Sequence, residues 1–233
     1  MFTVNELKKI KNNPVEIAGD FTYTAHTGCL GTKDNSLESI DVGVEYGAQI
    51  VEVDVQYYNG VPVLSHDAPH GDEIPLKEAF LKVKKYENLR VNVDIKSVEF
   101  LSEVQKIAEE TGVLDRIFFT GIFEKDIETV KSSCPKIQYY LNVSVLPKRK
   151  QTIEYLEAIA EKVESCGAIG INFNKDNATP ELVNVFHKKG LLVSIWTVNH
   201  KRTISKILSY GPDNITTRRP DKLKEVLKGI RSK

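Results

Sequence analysis

The chain has 233 residues, and its 32 basic side chains balance 32 acidic ones, so its formal net charge is zero. This balance excludes recruitment of nucleic acid or of an anionic membrane by net charge, and it requires a local site for any charged ligand. The length and the hydrophobic share of 41% are sufficient for a large core. Three cysteines, Cys29, Cys134 and Cys166, lack the paired spacing of a zinc site or a disulfide framework, which favours reduced thiols.

Residues 1–13, "MFTVNELKKIKNN", form a polar, helix-like pattern. They contain neither the apolar segment of a signal peptide nor a stretch long enough to span a bilayer. We therefore expect a cytoplasmic protein without stable membrane insertion.

Short runs of β-branched and aromatic residues alternate with amphipathic segments along the chain. The eight predicted strands are "FTYTAHT", "QIVEVDV", "RVNVDI", "RIFFTG", "IQYYLN", "AIGINF", "LVSIWTV" and "DNITT". Helical segments between them include "SLESIDVGVEYG", "FLSEVQKIAEETG" and "TIEYLEAIAEKVESCG", the last with Gly167 placed to end it. Eight βα units without a linker predict a single α/β domain over residues 1–233, folded as a (β/α)8 TIM barrel.

A further extended run follows the second predicted strand. The sequence "VPVLSHD" at residues 61–67 comes directly after "YYNG" at residues 57–60. Asn-Gly between two extended runs is typical of a two-residue hairpin turn. We therefore predict a short β-hairpin extension after strand 2.

The stretch "IVEVDVQ" carries two carboxylates inside a hydrophobic strand. Successive strand side chains point to opposite faces, so Glu52 and Asp54 share one face and the valines share the other. The same alternation in "RVNVDIK" places Asp94 and Lys96 opposite an apolar face. In a closed barrel the apolar faces pack against helices and the polar faces converge on the barrel axis. Polar residues near the carboxyl ends of strands are then expected at the mouth, where such barrels carry their active sites.

Three carboxylates in one small space repel each other unless a cation lies among them. Oxygen ligation by Glu52, Asp54 and Asp94 suits Mg2+ or Ca2+ better than zinc, which prefers nitrogen and sulfur. A single Glu-x-Asp pair is also compatible with a solvated or ion-paired strand edge. Two histidines, His26 at the end of the first strand and His66 in "VPVLSHD", add a pair of groups that can give and take a proton.

The chain resembles the glycerophosphodiester phosphodiesterase family from about residue 22 to about residue 226. The resemblance rests on "AHTG", "DNSLES", "GAQIVEVDVQ", "GVPVLSHD", "VNVDIK", "VSIWTVN" and "PDNITTRRPDKL", in that order. It implies a (β/α)8 barrel and a divalent cation, Mg2+ or Ca2+. It also implies hydrolysis of glycerophosphodiesters, such as glycerophosphocholine, to glycerol 3-phosphate and an alcohol in lipid and glycerol metabolism.

The resemblance assigns each site residue a role. Its metal ligands are Glu52, Asp54 and Asp94, its catalytic acid–base pair is His26 and His66, and its substrate-binding residues are Lys96 and Trp196. Asn35, a further candidate for substrate binding, is expected to position the first loop near the metal or the substrate. Lys96 is expected to contact the phosphate, and Trp196 to pack against the glycerol or the head group.

Several positions depart from the family pattern. Thr27 stands where the family has an arginine that holds phosphate, and Asp94 replaces a customary glutamate. Arg218, near the end of the last strand, is a candidate replacement, because that strand neighbours the first one in a closed barrel. The alternative for Arg218 is a surface arginine paired with a helix carboxylate. The connection after His66 is shorter than the family's capping insertion, which predicts a more open site.

Three functions from different classes remain open. The first is a metal-dependent glycerophosphodiester phosphodiesterase with a small-molecule phosphodiester as its partner. The second is a phospholipase D-like enzyme acting on lysophospholipid or sphingolipid head groups, which an apolar rim on the βα loops would favour. The third is a non-catalytic barrel that binds a phosphorylated ligand, and a neutral charge argues against nucleic acid as a partner of any of them.

Overall fold

The structure, a computed structural model, describes residues 20–231, and the helix-like pattern at residues 1–13 lies outside this range. Eight parallel strands close into a barrel. Closure is set by β1 (Thr22–Ala25), which pairs with both β2 (Ile50–Tyr58) and the last strand, β9 (Asn214–Thr217). The predicted TIM barrel is confirmed.

The other strands and the helices follow the predicted alternation. The remaining barrel strands are β4 (Arg90–Ile95), β5 (Ile117–Ile122), β6 (Gln138–Asn142), β7 (Gly170–Asn174) and β8 (Leu192–Trp196). The helices of the described residues are α1 (Leu37–Glu45), α2 (Leu76–Lys84), α3 (Leu101–Thr111), α4 (Ile127–Ser133), α5 (Ile153–Ser165), α6 (Pro180–Lys188), α7 (Lys201–Leu208) and α8 (Pro220–Arg231). Each of the eight predicted strands overlaps an observed one, although β2, β5 and β7 extend past the carboxyl ends of the predicted stretches.

Local sequence signals set several helix ends. The side chains of Ser36, Thr152 and Thr179 accept backbone N–H groups at the starts of α1, α5 and α6, which satisfies donors that have no partner within the helix. Gly167 lies just beyond the end of α5 with a φ of 75°, as predicted for a helix-ending glycine. Among the helices of residues 20–231, none combines the length and the apolar composition needed to cross a bilayer.

The predicted hairpin extension is present. Strand β3 (Val61–Leu64) pairs antiparallel with β2 across a turn in which Asn59 and Gly60 have φ values of 44° and 87°. Positive φ at both central residues is the geometry that Asn-Gly turns favour. Pairing between β2 and β4 ends at Val55 and Ile95, so the hairpin projects past the carboxyl end of the barrel.

Alternate strand residues separate two environments. Outward residues such as Val53 and Val93 are buried in the main hydrophobic core, which also contains residues of the helices. A second cluster is formed by Ile50, Phe118 and Tyr140, near the amino-terminal ends of β2 and β5 and within β6. The inward positions nearer the mouth are left for polar groups.

The three cysteines are free and buried, in agreement with the prediction of reduced thiols. Burial raises the pKa of the Cys134 thiol to about 12, and burial also raises the pKa of Cys29 above its ordinary value. Both thiols are therefore protonated and unreactive at neutral pH.

A glycine substitution tests the packing of neighbouring strands. Gly170 lies against β8, where an added Cβ atom would overlap the Leu192 carbonyl oxygen. We expect Gly170→Ala to lower the free energy of unfolding by about 1–3 kcal/mol, because a paired strand cannot move aside.

Gly229→Ala is the matched control, because Gly229 lies in α8 with no atom within 4 Å of the added methyl group. This change should raise the free energy of unfolding by about 0.5–1 kcal/mol through helix propensity. Urea unfolding measures both variants. A Gly170→Ala protein as stable as the wild type would contradict the described approach of β7 and β8.

Candidate active site

The three predicted carboxylates meet at the mouth of the barrel. Strands β2 and β4 pair in register, with Glu52 beside Asn92 and Asp54 beside Asp94. Single oxygen atoms of Glu52, Asp54 and Asp94 all lie within 4.8 Å of one another. Strand alternation and parallel register therefore concentrate three acidic groups in one small, largely buried space.

Lys96 partly neutralises this acidic cluster. Its Nζ lies 2.9 Å from Asp54 Oδ1 and 2.5 Å from Asp94 Oδ2. Burial alone would lower the pKa of Lys96, but the two carboxylates outweigh it and raise the pKa above its ordinary value. The ammonium group is therefore charged at neutral pH and bridges the two aspartates.

The pKa values of Glu52 and Asp54 shift in opposite directions although the two residues share a strand face. Burial would raise the pKa of Asp54, but hydrogen bonds from Lys96 and Asn35 hold it below its ordinary value. For Glu52, burial and then repulsion from Asp54 and Asp94 raise the pKa well above its ordinary value. Lys96 forms ion pairs with Asp54 and Asp94 but not with Glu52, so Glu52 receives the least compensation from the ammonium group.

The connection between β1 and α1 fixes both carboxylates of β2. Asn35 donates from Nδ2 to Asp54 Oδ2 at 3.0 Å, and its Oδ1 accepts the Asp54 backbone N–H at 3.0 Å. Asn35 has a φ of 55°, a left-handed conformation that asparagine tolerates better than most residues. The backbone N–H of Thr27 donates to Glu52 Oε2 at 2.8 Å. Asn35 therefore orients the carboxylate of Asp54, one of the predicted metal ligands.

The two histidines differ in their surroundings. His26 is mostly buried, and its Nδ1 lies 2.8 Å from the Thr27 carbonyl oxygen and 3.4 Å from Glu52 Oε2. Since a carbonyl oxygen only accepts, Nδ1 carries the proton and Nε2 is left as a proton acceptor. Burial lowers the pKa of His26 below its ordinary value, which keeps the ring neutral at neutral pH. His66 is exposed, and its Nδ1 lies 2.9 Å from Asp67 Oδ1.

A cavity of about 600 Å³ opens over the carboxylates. Seven of the predicted site residues line it: His26, Glu52, Asp54, His66, Asp94, Lys96 and Trp196. The buried Nε1 atom of Trp196 has no acceptor among the described residues. The other two predicted residues do not line the cavity. Asn35 contacts it indirectly, through its hydrogen bond to Asp54, and Arg218 lies outside the lining.

Arg218 forms an ion pair with the connection that follows β1. Its Nη1 lies 2.6 Å from Asp34 Oδ1, and its backbone N–H donates to Asn199 Oδ1 at 2.9 Å. Gly28, with a φ of 70°, makes room for this pair, because a Cβ atom there would overlap both side chains. Asp34 belongs to a loop at the barrel mouth, whereas the alternative reading of the sequence placed the partner of Arg218 on a helix.

Several cavity residues were not singled out from the sequence. Thr120 Oγ1 lies 2.8 Å from both Asn92 Oδ1 and Asp94 Oδ1, so its hydroxyl supports the acidic cluster from β5. Its alternation with Phe119, which is buried in the main hydrophobic core, was a usable signal in "RIFFTG". Phe123 and Lys125 also line the cavity, but they lie beyond β5 in a short turn that no periodic pattern marks.

The acidic cluster fits a divalent cation. Its three carboxylates supply oxygen ligands of the kind that Mg2+ and Ca2+ prefer, and burial, followed by the charges of Asp54 and Asp94, raises the pKa of Glu52 despite the nearby Lys96. A bound divalent cation would supply further positive charge. Glu52, Asp54 and Asp94 are the residues that would hold it.

Comparisons with known proteins agree with this architecture. The model of the glycerophosphoryl diester phosphodiesterase family matches residues 70–222, a segment that includes Asp94, Lys96 and Trp196 but begins after Glu52 and His66. No curated protein matches the chain by sequence.

Three solved structures show the same fold. A glycerophosphodiester phosphodiesterase from Parabacteroides distasonis ATCC 8503 is 18% identical, with a TM-score of 0.73 over 91% of this chain and 98% of its own. One from Thermotoga maritima is 22% identical, with a TM-score of 0.64 over 89% and 97%. An Oleispira antarctica phosphodiesterase, in complex with the product sn-glycerol-3-phosphate, is 21% identical, with a TM-score of 0.71 over 89% and 96%.

Replacing Lys96 tests its balance with a metal ion. Because its ammonium group bridges Asp54 and Asp94, it competes with a cation for the same oxygens. We expect Lys96→Met to raise the affinity for Mg2+ or Ca2+ by about tenfold, equivalent to about 1.4 kcal/mol. Calorimetry measures this, and so does the fluorescence of Trp196, the one tryptophan of the chain.

Lys125→Met is the matched control, since Lys125 lines the cavity but forms no ion pair within residues 20–231. Its effect on affinity should be clearly smaller. Affinity that is unchanged or lower in Lys96→Met would contradict the competition.

Proposed function

The chain belongs to the glycerophosphoryl diester phosphodiesterase family, and we propose that it hydrolyses glycerophosphodiesters to glycerol 3-phosphate and an alcohol. The observation that carries this proposal is the convergence of the three clustered carboxylates, Lys96 and two histidines on a single cavity. Such a site combines positive charge for a phosphodiester with groups that transfer protons. The product bound to the Oleispira antarctica protein supports the same substrate class.

Charge at the phosphate is supplied from two sides. A divalent cation held by Glu52, Asp54 and Asp94 would act as a Lewis acid toward the phosphoryl oxygens. Lys96, already charged and held at 2.9 Å from Asp54, would add a hydrogen-bond donor to the same oxygens. Trp196, on the wall of the cavity, offers an aromatic surface for the glycerol or the head group.

The histidines would divide the proton transfers in two steps. Neutral His26 takes the proton of a substrate hydroxyl at Nε2 while that oxygen attacks phosphorus. His66, whose Nδ1 lies 2.9 Å from Asp67 Oδ1, gives a proton to the leaving alcohol, and a cyclic phosphate results. In the second step His66 takes a proton from water as the water oxygen attacks phosphorus. His26 then returns its proton to the ring oxygen that leaves, which restores both side chains.

Arg218 is proposed to contribute to phosphate binding in place of the arginine that Thr27 replaces. Its guanidinium group lies at the junction of β9 and the connection after β1, next to the loop that carries His26. It is close enough to lower the pKa of His26 electrostatically, after the larger effect of burial. Asp34 holds the group in place, and a phosphate would compete with that carboxylate for it.

A second candidate function is hydrolysis of lysophospholipids by the same residues. It is favoured by Phe123, which lines the cavity although its side chain is 46% exposed, and by Val98 on the same wall. Apolar side chains at the mouth would accept an acyl chain that a glycerophosphodiester lacks. Comparison of kcat/KM for glycerophosphocholine and lysophosphatidylcholine distinguishes the two functions.

Release of glycerol 3-phosphate from glycerophosphocholine and glycerophosphoethanolamine tests the proposal. We expect release to stop in EDTA and to return with Mg2+ or Ca2+. His26→Ala should lower turnover by about 100-fold or more, because a general base is lost. His200→Ala, at the start of α7 and outside the cavity lining, is the control and should leave turnover unchanged. No release by the folded wild type with either metal would refute the proposal.

Replacing either partner of the ion pair between Arg218 and Asp34 should change KM, in opposite directions. Arg218→Ala should raise KM for glycerophosphodiesters by about tenfold with little change in turnover, because a phosphate contact is lost in the bound complex. Asp34→Ala should lower KM, since it releases the guanidinium group from its carboxylate. Steady-state kinetics measures both, and an unaltered KM and turnover in Arg218→Ala would end this assignment.

A further inference from the structure

Exposed apolar side chains are concentrated on one side of the barrel mouth. Within residues 20–231, six large hydrophobic side chains are exposed, and five of them lie beyond the carboxyl ends of strands: Val61, Phe100, Phe123, Leu146 and Ile153. The sixth, Leu81, lies on α2. Single exposed apolar residues are ordinary on a protein surface, but the location of five out of six at one edge is not.

We call these five residues the apolar rim. Val61 lies at the tip of the β2–β3 hairpin, and Phe100, Phe123 and Leu146 lie in the connections after β4, β5 and β6. Strands β2, β4, β5 and β6 are successive neighbours in the barrel, so the rim occupies one continuous sector. The ring of Phe100 stacks on Tyr57 of the hairpin, with centroids 3.5 Å apart.

A basic turn adjoins the rim. Lys148, Arg149 and Lys150 are all exposed and lie between Leu146 and Ile153, in a segment of residues 143–153 that contains no acidic residue. Within the described part of the chain, none of the three forms an ion pair with a carboxylate. Their charge is therefore available to an external partner.

This segment is held in a fixed conformation. Gln151 Nε2 donates to the Leu146 carbonyl oxygen at 2.8 Å and to that of Asn177 at 2.7 Å. Tyr155 Oη accepts the Leu146 backbone N–H at 2.9 Å. The apolar and basic side chains are thus displayed together on a preformed turn, so that binding does not require the backbone to become ordered.

We propose that the apolar rim and the basic turn dock the protein on the surface of an anionic phospholipid bilayer. The surface of such a bilayer has anionic head groups above an acyl boundary. The lysine and arginine side chains match the head groups, and the apolar side chains match the acyl boundary. In a symmetric dimer through this surface, the three positive charges of one copy would face the same three charges of the other and repel them. An anionic bilayer attracts these charges, so charge favours the bilayer over a second copy. Phe123 and Lys125 lie on the cavity wall, and docking therefore turns the cavity toward the lipid.

Docking is independent of the proposed reaction, because it rests on residues that do not transfer protons or hold a cation. It also agrees with the zero net charge of the chain. Because salt screens charges over short distances, three clustered positive charges attract an anionic surface locally even when the whole chain is neutral. The expected association is peripheral and reversible.

Co-sedimentation with vesicles tests the proposal. The wild type should bind vesicles of phosphatidylcholine mixed with phosphatidylglycerol, and it should bind pure phosphatidylcholine vesicles and salt-treated mixed vesicles much less. The triple variant Lys148→Gln, Arg149→Gln, Lys150→Gln should lose affinity on the order of 100-fold. Leu146→Ser with Ile153→Ser should lose about tenfold.

The matched controls carry equivalent substitutions at positions outside the apolar rim and the basic turn. Lys84, Lys131 and Lys188 lie in the last turns of α2, α4 and α6, at the opposite end of the barrel, and their triple change to glutamine removes the same charge. Leu81→Ser is the apolar control on α2. Both controls should bind mixed vesicles as the wild type does, and thermal melting checks that every variant is folded.

Two results would overturn the proposal. One is equal binding of the wild type to neutral and anionic vesicles, or no binding to either. The other is self-association in sedimentation equilibrium that Leu146→Ser with Ile153→Ser abolishes, which would make the rim an interface between copies. Because vesicle binding needs no turnover, an inactive wild type that binds anionic vesicles would refute only the proposed function.

Discussion

The site depends on the repulsion among three carboxylates that the barrel forces together. Burial and then like charge raise the pKa of Glu52, and Lys96, which bridges Asp54 and Asp94, lowers it by less than these two effects raise it. The surrounding contacts serve to keep the carboxylates oriented despite that repulsion: Asn35 binds Asp54 at two points, and the Thr27 backbone binds Glu52. A site organised in this way gains stability when a divalent cation enters it, which is the physical basis of the proposed metal dependence.

The same barrel mouth has two chemically distinct parts. Its centre is polar and negative, where the carboxylates, Lys96 and His26 line the cavity. Its edge over β2, β4, β5 and β6 carries the apolar rim and the basic turn, which contribute nothing to proton transfer. Loops at the carboxyl ends of barrel strands vary independently of the strands themselves, so a binding surface can be added without disturbing the reactive centre.

Sequence reasoning predicted the parts of the molecule that follow from strand alternation. The eight strands, the hairpin after β2 and the meeting of Glu52 with Asp54 and Asp94 all result from a period of two within a closed parallel barrel. Features that depend on loops were not predictable in the same way. The pairing of Arg218 with Asp34 joins residues far apart in the chain, and the exposure of Leu146 depends on contacts from Tyr155 and Gln151. The run of Lys148, Arg149 and Lys150 is visible in the sequence, but its exposed position beside Leu146 depends on the fold of this loop.

Calorimetric titration of Mg2+ and Ca2+ into the wild type and into Glu52→Gln tests the central claim most directly. Glutamine keeps the size of the side chain and an oxygen that can accept the Thr27 N–H, so the fold of the mouth is preserved while one negative charge is removed. The account predicts one site per chain for the divalent cation, with affinity at least tenfold lower in the variant. Absence of binding to the wild type, or equal affinity in both proteins, would contradict the claim that the carboxylate cluster is a cation site.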